Sequence, residues 1–74
     1  MANGIVGVTR NEVPVPMMIV QIDNLAAFTD NDGIATFLGI PHGESRLTIR
    51  DQYGYIFVDR MVVIKDGFSF SEEV

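Results

Sequence analysis

Apolar and polar positions alternate along the chain in short runs, and turn-forming residues interrupt them at intervals of about 8–12 residues, the spacing of a small β-sandwich or barrel. The runs are rich in Val, Ile, Phe and Thr. The clearest is Ser45–Arg50, where Leu47 and Ile49 face one way and Arg46, Thr48 and Arg50 the other. Further extended runs are predicted at Ile5–Thr9, Met17–Asp23, Ala26–Thr29, Ile34–Leu38, Tyr55–Asp59 and Arg60–Lys65. Phe68-Ser69-Phe70-Ser71 closes the chain with a period of two. No apolar stripe of helical spacing reaches a useful length, and Asn24–Phe28 is too short to hold a helix.

The punctuation between runs has physical content. Asp32-Gly33 is the strongest hairpin signal, and it predicts a type I′ turn. In Val13-Pro14-Val15-Pro16 the two prolines remove two backbone donors, which places that stretch at a sheet edge or crossover. Seven short strands cannot bury both faces of one sheet, so two sheets packed face to face are expected. The predicted fold is all-β: one domain over residues 1–74, a Greek-key sandwich of about seven antiparallel strands. Val20, Ile22, Phe37, Leu47 and Ile49 are the expected core.

Composition narrows the partners. The net charge is −5, and the five basic residues, Arg10, Arg46, Arg50, Arg60 and Lys65, are scattered. An acidic surface without a basic stripe argues against nucleic acid and anionic membrane. With no cysteine the chain has neither a disulfide staple nor a thiolate metal ligand. At 74 residues it lies near the lower limit for independent folding, so it must use its core fully or gain stability from a partner. A folded surface of roughly 4,500 Å² is expected at this mass. The start, Met1-Ala2-Asn3-Gly4, has no basic or apolar leader region, which leads to the expectation of cytoplasmic synthesis without a signal peptide, with a virion as one destination.

The stretch from Thr29 to Gly43 (Thr-Asp-Asn-Asp-Gly-Ile-Ala-Thr-Phe-Leu-Gly-Ile-Pro-His-Gly) resembles the core of carboxypeptidase regulatory-like domains, which are small transthyretin-like, Ig-like sandwiches. Pro14-Val15-Pro16 with Val20 and Ile22 resembles that family's turn into its second strand, and Leu47-Thr48-Ile49 with Gly54-Tyr55 its later strand and corner. The likeness covers about residues 4–67, leaving 68–74 as a tail or an edge strand. It implies a scaffold, with the Tyr55 ring buried at a corner. Met17 stands where the family often has glycine, Ser45 where it often has an aromatic, and Asn11-Glu12 where it has a glycine turn.

Candidate chemistry is sparse. His42 is the only histidine; a solvated loop residue is its simplest reading, and alone it makes neither a zinc site nor a nucleophile relay with Glu44 and Ser45. Asp30-Asn31-Asp32-Gly33 fails the EF-hand pattern, because Phe28 occupies the first ligand position. Weak calcium binding by Asp30 and Asp32 is weighed against a turn whose side chains cap the backbone. Asp23, Asp59 and Asp66 read as surface carboxylates at strand ends or turns. No cofactor, metal site or catalytic residue is expected, and the chain is not read as an enzyme.

What stands out is apolar excess. Met18, Val20 and Ile22 share one face of their run, while Met17 and Ile19 share the other. Both faces are again apolar over Tyr55–Val58 and Met61–Ile64. A sandwich buries one face per sheet, so the surplus must reach the outside, where it usually marks a contact surface. Met17, Ile19, Phe68 and Phe70 are the candidate interface residues. The expected function is a structural or interaction subunit docking on a larger protein assembly or on copies of itself, most simply a bacteriophage virion accessory such as a capsid decoration or tail protein. The alternative is a binding or spacer module of a secreted multidomain protein, an adhesin or a carbohydrate-active enzyme.

Overall fold

The computed structural model describes residues 1–74. It contains eight strands and no helix: β1 Ala2–Arg10, β2 Val13–Pro14, β3 Ile19–Ile22, β4 Leu25–Phe28, β5 Ile34–Ile40, β6 Gly43–Arg50, β7 Ile56–Ile64 and β8 Phe68–Glu73. They form two four-stranded sheets packed as a sandwich. In the first, β1 is central, with β8 on one side and β5 and β2 sharing the other. The second runs β4-β3-β6-β7.

The expected sandwich of two layers is present, with two changes. Tyr55–Asp59 and Arg60–Lys65 are not separate strands. They fuse into β7, because Asp59 and Arg60 pair in register with Thr48 and Leu47 of the eight-residue β6 and no turn residue separates them. Pairing is antiparallel throughout except between β1 and β8, which run parallel from Gly4↔Phe68 to Thr9↔Glu73. Residues 68–73 are therefore a strand of the molecule's own sheet.

One core of 14 buried residues lies between the sheets, and Val20, Ile22, Phe37, Leu47 and Ile49 all belong to it. Val6, Val8, Ala35 and Phe37 face it from the first sheet. Val20, Ile22, Leu47, Ile49, Val62 and Ile64 face it from the second. The total surface is 4573 Å², close to the value expected from mass. Gly4 fits this core by what it lacks: the Phe68 ring lies against its backbone, where a Cβ would overlap both ring and carbonyl. Phe68 also sits 6.4 Å from Phe37 and stacks at 5.5 Å on Phe70, centroid to centroid.

The turns differ from the sequence reading in an instructive way. Asp32-Gly33 is not a type I′ turn. Gly33 alone has positive φ (73°), its N–H donates to the Asp30 carbonyl, and the Asp30 N–H donates to the Ile34 carbonyl. That is a three-residue loop ending in a left-handed glycine. The Asp30 carboxylate completes it by accepting from the N–H groups of Asp32 and Ile34. Asp51-Gln52-Tyr53-Gly54-Tyr55 repeats the device bond for bond, Asp51 accepting from Tyr53 and Tyr55. The two-residue hairpin with both central residues left-handed is Arg10-Asn11-Glu12-Val13. Glu73 steadies it by accepting from the Asn11 N–H at 2.7 Å.

Candidate functional site

Val15-Pro16-Met17-Met18 links the two sheets. Proline fixes the second position and Met17 takes φ 63° at the third, the pattern of a type II turn, in which the third residue is usually glycine. The direct bond across this turn is replaced by Thr29. Its buried hydroxyl donates to the Val15 carbonyl at 2.7 Å and accepts from the Met18 N–H at 2.9 Å. The Met17 N–H donates to the Thr29 carbonyl, and the Thr29 N–H to Met18. The turn is thus locked from behind, and the Met17 side chain is left 52% exposed at its apex.

Strand register carries the patch onward. Across the outer face of the second sheet, Phe28 lies opposite Ile19, Ile19 opposite Arg50, and Arg50 opposite Ile56. Phe28 and Ile56 are more than half exposed, and Ile19 is half-buried. Arg50 donates to the Gln21 side chain at 2.8 Å, which holds the guanidinium in this row. Just beyond, the Asp51–Tyr55 loop presents a fully exposed Tyr53 and a Tyr55 whose ring leans on Phe57 at 4.7 Å. Tyr55 is therefore not the buried corner that the resemblance implied. Its N–H is tied to the Asp51 carboxylate, which turns the ring outward.

Of the four candidate interface residues, Met17 and Ile19 occupy this outer end. Phe68 and Phe70 do not. Pairing Phe68 with Gly4 and Phe70 with Val6 turns both rings toward the core; Phe68 is 7% exposed and Phe70 half-buried. Of the two readings of residues 68–74, a tail or an edge strand, the edge strand is what forms, and its parallel pairing with β1 takes Phe68 and Phe70 away from the outer face, which a tail sequence cannot reveal. Neither Phe28 nor Ile56 is among those four candidates, although Ile56 falls in the doubly apolar run Tyr55–Val58 and each is found by following Ile19 across the sheet.

The remaining polar candidates hold loops. Asp30 Oδ1 is occupied by two backbone N–H groups. Asp23 Oδ1 accepts from the Arg46 N–H, and Asp66 Oδ1 from the Asn3 N–H. His42 is exposed in the short β5–β6 connection. On the outer face, Asp59 takes both branches of the Arg46 guanidinium. This hydrogen bond, then the adjacent charge, pushes the Arg46 pKa up; the same hydrogen bond, opposed by desolvation and aided by the Arg46 charge, holds the Asp59 carboxyl below its usual range. On the inner side of β7, Arg60 grips Glu72 of β8 and lies 5.7 Å over the Phe70 ring, and the hydrogen bond to Glu72 raises its pKa. Arg10 likewise lies 5.3 Å over Phe57.

The surface has no cavity, and no three His, Cys, Asp or Glu side chains converge. What it offers is flat apolar area with fixed polar groups between. No known family model matches the chain, and no curated protein is significantly similar to it in sequence.

Proposed function

We propose that the chain is a non-enzymatic interaction domain of the carboxypeptidase regulatory-like, Ig/transthyretin-like Greek-key type, docking on a larger protein assembly through Met17, Ile19, Phe28 and Ile56. A virion surface is the assembly it suits best, as a decoration or tail accessory. The parallel pairing of first and last strands and the Asp-Gly loop between β4 and β5 support the fold type.

One observation carries the docking reading. Met17 is an exposed, apolar side chain on a left-handed backbone where glycine would be easier. A left-handed conformation costs an ordinary residue about 1–2 kcal/mol. The other strained positions are polar: Asn11, Glu12 and Asp23. Asn and Asp tolerate this region, and Asp23 is tied by both its N–H and its carboxylate to Arg46. Met17 gains nothing visible for the isolated fold, and strain kept at an exposed side chain points to a contact outside it.

The test compares Met17→Gly and Ile19→Ser with the parent, by melting curve and by co-sedimentation with the particle fraction of source cells. Met17→Gly is expected to melt higher while both variants sediment less. A more stable Met17→Gly that still co-sediments fully defeats the docking reading. A parent that never sediments favours the spacer-module alternative.

A further inference from the structure

The sandwich has four strand edges, and three are blunted. β4 has only four residues. On β5, Asp30 occupies both the N–H and the carbonyl of Ile34, and the register breaks near Gly39 at the other end. β8 ends in Glu72 and Glu73. Natural edges are guarded in these ways against unwanted pairing. β7 is the longest of the four: nine residues, its charges Asp59 and Arg60 each paired within the molecule, with Met61 and Val63 more than half exposed on its outer face.

The hydrogen-bond pattern fixes which of its backbone groups are free. The Asp23 N–H donates to the Arg46 carbonyl, so the even residues of β6 bond toward β3 and its odd residues toward β7. Their partners on β7 are Val58, Arg60, Val62 and Ile64. The N–H and carbonyl groups of Asp59, Met61 and Val63 are left pointing away from the sheet. Their side chains all lie on the outer face.

We infer that this edge pairs antiparallel with the same edge of a second copy, about a two-fold axis at Val62. A two-fold perpendicular to the sheet keeps outer face with outer face, so it must pass through a residue opposing itself. Centring on Asp59 or on Arg60 sets like charges against each other. Centring on Met61 leaves Asp59 facing Val63. Centring on Val62 sets Met61 against the partner's Val63, so the free groups of both exchange hydrogen bonds, and it sets Asp59 against the partner's Lys65. Lys65 is the one basic side chain without a polar partner in the monomer: Arg10, Arg46, Arg50 and Arg60 are each bonded. The pairing therefore covers the two exposed apolar residues, satisfies the free backbone and brings the unpartnered Lys65 beside the Asp59 carboxylate, which Arg46 already holds within its own copy. The charges nearest the seam on β7 are neutralised within each copy, Asp59 by Arg46 and Arg60 by Glu72, which lets two acidic chains approach there.

This surface is separate from the Met17 end, and so is its test. Sedimentation equilibrium of the full chain across the micromolar to millimolar range should show a dimer of about twice 8.2 kDa. Lys65→Glu should weaken it by about tenfold, since it sets like charges opposite each other. Met61→Lys, an edge charge on an exposed position, should leave a folded monomer. Register is read by disulfides, since the chain has no cysteine of its own. Mixed Met61→Cys and Val63→Cys chains should cross-link to each other, and each alone should do so poorly. A parent that stays monomeric overturns the proposal, as does efficient cross-linking of Met61→Cys to itself or a Lys65→Glu dimer as tight as the parent.

Discussion

Gly33 and Gly54 close the same loop in two different places, which isolates what a side chain costs at each. Both follow an aspartate that caps its own loop, and both are left-handed, at φ 73° and 92°. A Cβ at Gly54 would meet nothing within 4 Å. At Gly33 it would lie 2.5 Å from the Val8 carbonyl oxygen and 3.1 Å from both Pro14 and the Val15 nitrogen. Val8 is where the edge of β1 passes from β5 to β2: its N–H donates to Gly33 and its carbonyl accepts from Val15. Asparagine separates conformational from steric cost, because it tolerates positive φ. Gly54→Asn should therefore cost less than about 1 kcal/mol. Gly33→Asn adds an overpacking term of about 1–3 kcal/mol and weakens a backbone bond worth about 1 kcal/mol. The expected difference is about 2–4 kcal/mol, read as urea midpoints of the two variants at constant m. Equal midpoints would refute the steric reasoning and show that the approach of Gly33 to β1 relaxes without cost.

Three further outcomes follow from the geometry. Glu12→Gly should stabilise the fold by about 1 kcal/mol in thermal or urea unfolding, because Glu12 sits left-handed in a solvated two-residue hairpin where glycine is at ease. Thr29→Val should destabilise by about 2–4 kcal/mol by the same measurement, since it strands the Val15 carbonyl and the Met18 N–H together. Asp59 has a lowered carboxyl pKa in the folded state, so its pairing with Arg46 stabilises above the unfolded value near pH 4 and is lost as pH falls through the folded one; the midpoints of parent and Asp59→Asn should converge in acid, and a gap unchanged from pH 7 to pH 3 would contradict this.

Alternation in the sequence was enough to find the core face of β3, β5 and β6, because a period of two is a local property and Leu47 or Val20 needs no knowledge of its neighbours to be placed; in β7 both faces are apolar and alternation chooses neither. Partners are not local. Whether Phe68 and Phe70 turn in or out depends on β8 lying parallel to β1, some 60 residues away, with Gly4 leaving room for the ring. The fusion of β7 was hidden by Asp59-Arg60, which reads as a turn until β6 is seen alongside and Arg60 is seen to reach Glu72. Turn type was misassigned because aspartate before glycine fits two loops equally well; the deciding acceptor is Asp30, two residues earlier. At the candidate site the apolar surplus was visible, but its placement was not. Thr29 reads as an ordinary strand residue, and its hydroxyl becomes the lock of the Met17 turn only when the two segments meet.

The docking row and the pairing edge lie on the same sheet and meet on β7, where Ile56 ends the row six residues before Val62, the centre of the seam. With the order β4-β3-β6-β7, pairing at β7 makes one continuous sheet of two copies, with the β3–β4 pair of each on the outer flanks. Seven strand spacings of about 4.8 Å then set the two Phe28-bearing strands some 34 Å apart. Neither surface is consumed by the other, so a dimer presents two docking patches, and a second attachment on a repetitive assembly strengthens the whole without any new contact. The two surfaces are separable by experiment for the same reason. Met61→Lys removes the second attachment and should weaken co-sedimentation while each patch stays intact. Met17→Gly weakens every patch and should leave the dimer as it was. If Met61→Lys left a monomer that bound the particle as tightly as the parent, one patch would be sufficient and dimerisation would serve the fold instead, adding the buried surface that a 74-residue chain has trouble supplying alone.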